Sequence, residues 1–321
     1  MVKTRFIFAT DIHGSEAVWR KFLNSAKIFK TNAIVLSGDM TGKIIVPMIV
    51  RPDGKYDASL LGTDYVLTEQ EIPDFAKRCR MMSYIPYKTT PEEAAKLKEA
   101  GWGSPELEGL FVKLECDIVD YWMSLVAEKV PKDVRVVISP GNDDKHEIDK
   151  VIIEAGRKNP QIIYGEENVI SLDPEHEVAC CGWTNPTPWN SPRECSEEEL
   201  LAKLEKIIAE IRNMQTAVFC FHCPPFRSDL DTAPLLKDFK PVIDVGQPVM
   251  VPVGSKAVKL VIEKYQPLLG LHGHIHESKG MRRIGRTECM NPGSEYAEGI
   301  FKGYLVEIDG PKLTKCQRIE G

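Results

Sequence analysis

A short apolar run that stops at a polar turn recurs along this chain, and that recurrence constrains the fold more than any other feature. Thr4 to Thr10, rich in Phe and Ile, reads as a buried strand that ends at Asp11-Ile12-His13-Gly14-Ser15. Residues 16–29 carry Val18, Phe22, Leu23, Ala26 and Phe29 at helical spacing, with Ser15 as the N-cap. Ala33 to Ser37 is a second strand, ending at Gly38-Asp39. Val134 to Ser139 stops at Pro140-Gly141-Asn142-Asp143-Asp144, Ala217 to Phe221 at His222, and Pro267 to Leu271 at His272-Gly273-His274-Ile275-His276. Strand, polar turn, helix, strand is an α/β pattern. In such folds sites gather at the carboxyl ends of strands.

Between these blocks the pattern changes. Ile44 to Val50 and Lys55 to Leu61 flank the turn Arg51-Pro52-Asp53-Gly54 and read as a hairpin, with Pro47 marking an edge strand or bulge. Residues 68–129 read as helical, interrupted near Ile85-Pro86 and over residues 101–105. Residues 44–132 are therefore expected to form a hairpin-plus-helix insertion within a single domain of residues 1–321. The basic, Met-rich stretch from Phe75 to Tyr84 reads as the solvated face of an amphipathic helix. Val178 to Trp183 is a further strand, running into the rigid loop Thr184-Asn185-Pro186-Thr187-Pro188-Trp189. Ser196 and Glu199 have capping-box spacing at the start of a helix, residues 226–253 read as loop, and residues 255–265 read as another helix. Segments 303–308 and 313–319 around Asp309-Gly310-Pro311 predict a terminal hairpin.

The net charge is −6, from 41 basic and 47 acidic residues, which argues against a grip on extended nucleic acid or on anionic membranes. Nine scattered cysteines without framework spacing suggest reduced thiols and a cytoplasmic setting. The run from Arg5 to Thr10 is too short for a signal-peptide core, and no apolar stretch approaches the roughly 18 residues a membrane span needs.

Five strand ends thus carry metal-competent groups: Asp11 and His13; Asp39; Asn142; His222; His274 and His276. Imidazole, carboxylate and amide oxygen without thiolate suit Mn, Fe or Zn. His272 reads as a packing residue, Cys223 as a packed thiol, and His176 as a surface residue in a polar turn.

In order, Asp11-Ile12-His13, Gly38-Asp39, Gly141-Asn142, His222 and Gly273-His274-Ile275-His276 resemble the signature of the calcineurin-like metallophosphoesterases, over residues 4 to about 308. The resemblance implies a four-layer α-β-β-α sandwich of two mixed sheets flanked by helices. It implies two divalent metal ions, one held by Asp11, His13, Asp39 and His276, the other by Asp39, Asn142, His222 and His274, with Asp39 bridging. It implies a phosphohydrolase, with phosphodiesters as the leading substrates and a hydroxide between the metals as nucleophile. Phosphomonoesters, nucleotide pyrophosphates, or a binding scaffold with idle metals are the alternatives. Where the family has His after the Asn, this chain has Asp143, so the proton donor is expected to be Asp143 raised by Asp144, or His146, or water. Asn185, Arg193 and Arg227 are candidate phosphate contacts. The expected partner is a small phosphate ester, and the insertion could also mediate homo-oligomerisation.

Overall fold

A computed structural model describes residues 3–101 and 103–321; Trp102, in the predicted helix break, lies outside them. The first sheet has strand order Lys312–Glu320, Lys302–Asp309, Lys3–Ala9, Ala33–Ser37, Arg135–Ser139, Ile162–Tyr164. The second has order Gly280–Ile284, Thr287–Asn291, Leu269–Leu271, Val218–Phe221, Glu177–Cys181, Val169–Ser171. Each is mixed. Four parallel strands, Lys3–Ala9 to Ile162–Tyr164, make the body of the first, and the terminal hairpin joins it antiparallel. In the second, four parallel strands are flanked by one antiparallel strand at each edge.

Alternation along the strands builds the layers. From Lys3–Ala9, Phe6 and Phe8 face the second sheet and join Val178, Val218, Leu269 and Leu271 in one cluster. Ile7 and Ala9 face the other way. The helices are α1 (Glu16–Ile28), α2 (Ile72–Met81), α3 (Pro91–Ala100), α4 (Pro105–Lys129), α5 (Glu147–Lys158), α6 (Glu197–Ile208) and α7 (Lys256–Tyr265). Residues of α1, α4 and α5 pack on the outer face of the first sheet, where Trp19 and Trp122 stack with ring centroids 5.2 Å apart. Leu204 of α6 and Val258 and Ile262 of α7 pack on Phe219 and Phe221 of the second. The result is helix, sheet, sheet, helix, an α/β sandwich of two mixed sheets. Truncating one of these fully buried side chains to Ala would cost about 2–5 kcal/mol.

Residues 44–100 form a smaller unit. A third sheet, of order Thr63–Leu67, Tyr56–Leu60, Ile44–Val50, Tyr84–Thr89, packs with α2 around Val46, Met48, Phe75 and Cys79. The expected helix break at Ile85-Pro86 is a strand, paired parallel with Ile44–Val50. Pro47 is accordingly on a central strand, not an edge. It is tolerated because pairing with Tyr56–Leu60 begins only at Met48. Arg80 in the basic stretch ties the unit down: it and Arg20 donate to the buried Glu16 carboxylate at 2.8 and 2.7 Å. That doubly paired carboxylate is held below its usual pKa despite its burial.

The expected loop 226–253 carries three small antiparallel ladders, the outermost joining Thr232–Pro234 to Met250–Pro252. The capping box at Ser196 and Glu199 forms, with Ser196 N donating to Glu199 at 3.0 Å and Glu199 N to Ser196 at 3.2 Å. His176, expected on the surface, is fully buried; its ring bonds Asp173 at 2.6 Å and the Gly310 carbonyl at 2.9 Å, which anchors the terminal hairpin. No helix among the described residues is long and apolar enough to cross a membrane.

Candidate metal centre

Each candidate ligand sits on the turn that follows a strand of one of the two large sheets. Asp11, His13, Asp39 and Asn142 follow strands of the first sheet; His222, His274 and His276 follow strands of the second. Asp11, His13, Asp39 and His274 have φ of 54°, 44°, 49° and 65°. That region is unfavourable for L side chains, by roughly 1–3 kcal/mol each, and such outliers gather at functional sites. Backbone bonds hold the turns: Asp11 N to Gly38 O at 3.1 Å, His13 N to Asp39 O at 2.8 Å, Gly14 N to Met40 O at 2.7 Å. His274 N donates to both Asp11 carboxylate oxygens, at 3.2 and 3.1 Å. Crowding demands glycine at Gly141, where a Cβ would lie 2.3 Å from Asp39 Oδ1, and at Gly273, where it would lie 2.0 Å from Thr10 Oγ1.

The side chains converge in two groups. Asp11, His13 and His276 form one, and Asp39, His222 and His274 the other; within each, the ligand atoms lie within 4.8 Å of one another. Asp39 Oδ2 stands between them, 3.6 Å from His13 Nε2 and 3.4 Å from His222 Nε2. His13 and His276 bring their Nε2 atoms to 3.0 Å. A third grouping, His13, Asp39 and Asp143, overlaps both.

Two orphaned atoms test whether cations fit here. His222 bonds the Ser37 carbonyl through Nδ1 at 2.9 Å, which directs its buried Nε2 toward Asp39 with no hydrogen-bond partner. Asn142 donates through Nδ2 to Ser191 at 2.7 Å, and its buried Oδ1 has no partner. A buried acceptor left unpaired costs about 1–3 kcal/mol. Divalent cations held by these Asp and His groups would satisfy both atoms.

With no ion bound, the electrostatics are those of ion pairs: against burial, Asp39 raises His222 to about 10 and Asp11 raises His276, so a cation would displace both protons. Burial pushes the Asp11 carboxyl up, but the hydrogen bond and charge of His276 and the charge of His222 outweigh it and hold it at about 2. Burial likewise opposes ionisation of Asp39, and His222 overrides it, keeping the carboxyl well below its ordinary value. Burial lowers His13 to about 3 and His274 to about 4, so both stay neutral with lone pairs free. Asp143 is pushed up to about 7, chiefly by burial and then by Asp39, against the pull of Lys43; Asp144 contributes less.

Asp144 has a supporting part. Its buried carboxylate accepts from Met40 N at 2.9 and 3.0 Å, Thr41 N and Oγ1 at 2.9 Å, and Gly141 N at 2.8 Å, and so locks the Asp39 turn to the Asn142 turn.

Four sequence-predicted residues lie elsewhere. Arg193 is 1% exposed, paired with Asp149 and donating to the Gly141 and Asp144 carbonyls, so its guanidinium braces the Asn142 turn from behind and faces no phosphate. Arg227 is exposed, with its guanidinium over the Phe226 ring. Asn185 uses its amide on Val253 O, at 3.2 Å, and on the Cys223 thiol, at 3.0 Å. His146 is exposed at the start of α5 and bonds the Pro192 carbonyl at 3.1 Å, outside the cavity described below. His272 is buried and bonds Phe221 O at 2.8 Å. Sequence reasoning missed Lys43, which pairs with Asp143, and Tyr296, whose ring lies 4.6 Å from that of His13. Lys43 follows Asp39 by four residues in the same turn, a weak signal; for Tyr296 there was none.

The groups floor a cavity of about 530 Å³. Its floor is polar, with His13, Asp39, Asn142, Asp143, His274 and His276; its upper wall is apolar, drawn from 186–189 and 233–253.

No family model matches the chain. The uncharacterized protein MJ1162 of Methanocaldococcus jannaschii is 33% identical over 113 residues, 35% of this chain, and the match spans 45% of that relative's length. One solved structure superposes with TM-score 0.60 at 15% identity, covering 99% of each chain. The crystal structure of TT1561 of Thermus thermophilus gives TM-score 0.54 at 14% identity, over 98% of this chain and 99% of that one. These likenesses are of fold. An archaeal phosphodiesterase, at TM-score 0.38 and 8% identity, is too distant to carry an argument.

Proposed function

We propose that the chain is a dinuclear metal-dependent phosphohydrolase acting on phosphodiesters. The observation that carries this reading is the pair of Asp–His groups on one cavity floor with Asp39 between them. Asp11, His13, Asp39 and His276 would hold one divalent ion, and Asp39, Asn142, His222 and His274 the other. Bound there, the ions would supply Lewis acidity to phosphate oxygens and activate water.

The chain's own residues do the rest. The strained turns fix the donors before any ion arrives, so little reorganisation remains. Lys43 and Asp143 form an ion pair at the cavity edge, where the resembled family has His. The Lys43 ammonium lines the cavity and would donate to a substrate oxygen. It is the cavity's one lining Lys or Arg among the described residues, and it already faces a carboxylate; Glu277 lines the mouth as well. Such a wall favours a singly charged diester over a doubly charged monoester.

The test is a panel assay of Mn²⁺-, Fe²⁺- and Zn²⁺-loaded protein on bis-aryl and mono-aryl phosphates, cyclic nucleotides and dinucleotides. Diester turnover that disappears on chelation and in His274→Ala supports the reading. Stoichiometric metal with no turnover of any substrate would leave a binding scaffold instead.

A further inference from the structure

The floor of the cavity and its wall differ in chemistry. The wall is made by Pro186, Pro188, Trp189, Leu235, Leu236 and Pro241. Its prolines carry no N–H. Backbone and hydroxyl donors nearby are engaged: Thr187 gives its N–H and hydroxyl to Glu194 at 2.8 and 2.6 Å, Trp189 N bonds the Thr187 hydroxyl at 3.1 Å, and Leu235 N bonds Val249 O at 2.7 Å, which leaves the Trp189 indole N–H as the wall's side-chain donor. A nucleobase edge or a set of sugar hydroxyls placed here would lose water and gain few partners, which sites reject strongly. An apolar group would lose nothing. Trp189 is 59% exposed although it packs against Phe239, 5.3 Å between centroids with the rings tilted by 34°, so it offers free ring surface at the cavity.

From this wall we infer that the organic group of the substrate is apolar, aryl or alkyl, and that Trp189 and Leu235 select it. The inference rests on the phosphohydrolase reading for where the phosphate sits. A volume of about 530 Å³ has room for a phosphate on the floor and a ring or short chain above it.

Calorimetric binding to Mn²⁺-loaded protein tests this with a readout other than activity, each probe being checked as unhydrolysed after the titration. The probes are the monomethyl esters of methyl-, hexyl-, phenyl- and 2-naphthylphosphonic acid, singly charged mimics of a diester, and the methyl ester of a nucleoside monophosphate. The naphthyl probe is expected to bind about tenfold or more tighter than the methyl probe. The nucleotide ester is expected to bind no tighter than the methyl probe. Trp189→Ala and Leu235→Ser should each cut the naphthyl-to-methyl ratio by about threefold, and hexyl against phenyl tells alkyl from aryl. A flat series, a nucleotide ester tighter than the naphthyl probe, or a ratio indifferent to both substitutions overturns the inference and leaves the metal centre standing. Failure of every probe to bind the loaded protein would instead overturn the phosphohydrolase reading.

Discussion

The floor and the wall of the cavity are built in opposite ways. The floor hangs from strands of the two large sheets, and Asp39, Asp11 and His222 are at most 2% exposed. Its turns take strained conformations, and a carboxylate, Asp144, does nothing but hold them. The wall stands on short ladders, two of them with two-residue strands, and leaves Phe239, Ile243 and Val245 63%, 58% and 96% exposed. The polar floor is held by many bonds, whereas the apolar wall hangs on small ladders. A floor of this kind is costly to alter, whereas the wall can change with little effect on stability.

The sharpest way to break this contrast is at Asp39. Asp39→Ala is expected to abolish paired Mn²⁺ binding and to lower turnover by more than about a thousandfold, measured by calorimetry and kinetics. Retention of two bound ions would show that Asp39 does not join the groups. Next comes Asp144→Ala, which strands the donors of Met40, Thr41 and Gly141 in the interior. A loss of about 3 kcal/mol in denaturant unfolding is expected from the stranded donors; an unchanged midpoint would mean the turns hold themselves.

Glu166 sharpens the same point through pH. It accepts from Ser139 Oγ at 2.8 Å and Gly182 N at 2.7 Å, one at a strand end of each sheet. Burial raises its carboxyl from 4.5 to about 7. The folded chain therefore keeps this proton where the unfolded chain has released it. The stabilisation is full below pH 4.5 and is lost as pH rises to about 7, amounting to about 3 kcal/mol. Glu166→Gln should flatten that slope in urea titrations between about pH 5 and 8, and an unaltered slope would assign it to other groups. The smallest effect belongs to the wall: Val245→Ser should move stability by less than about 0.5 kcal/mol. A cost of about 2 kcal/mol would mean that the wall is bound into the fold as firmly as the floor.

The sandwich and the convergence of Asp11, His13, Asp39, His222, His274 and His276 were legible because both depend on local order. Apolar alternation followed by a Gly or Pro turn marks a strand end wherever it falls, and Ser196 with Glu199 marks a helix start in the same way. The misreadings involve contacts distant in sequence. Arg193 looked like an anion contact, but its acceptors are 44 to 52 residues away. His176 looked exposed because its partner carbonyl, Gly310, is 134 residues on. Tyr84–Thr89 resembled a helix break because its strand partner begins 40 residues earlier, at Ile44. Lys43 carries no motif, and its meaning comes from its ion pair with Asp143, 100 residues on, at the cavity edge.

The division of ligands between the sheets bears on how this protein comes into being. A chain with its first sheet alone presents Asp11, His13, Asp39 and Asn142, and the second alone presents His222, His274 and His276. Neither set completes the Asp11–His13–His276 or the Asp39–His222–His274 group, so both come together only when the sheets dock through Phe8, Val218 and Leu271. The ions would then act as a clasp on the last step of assembly, lowering the free energy of the docked state alone.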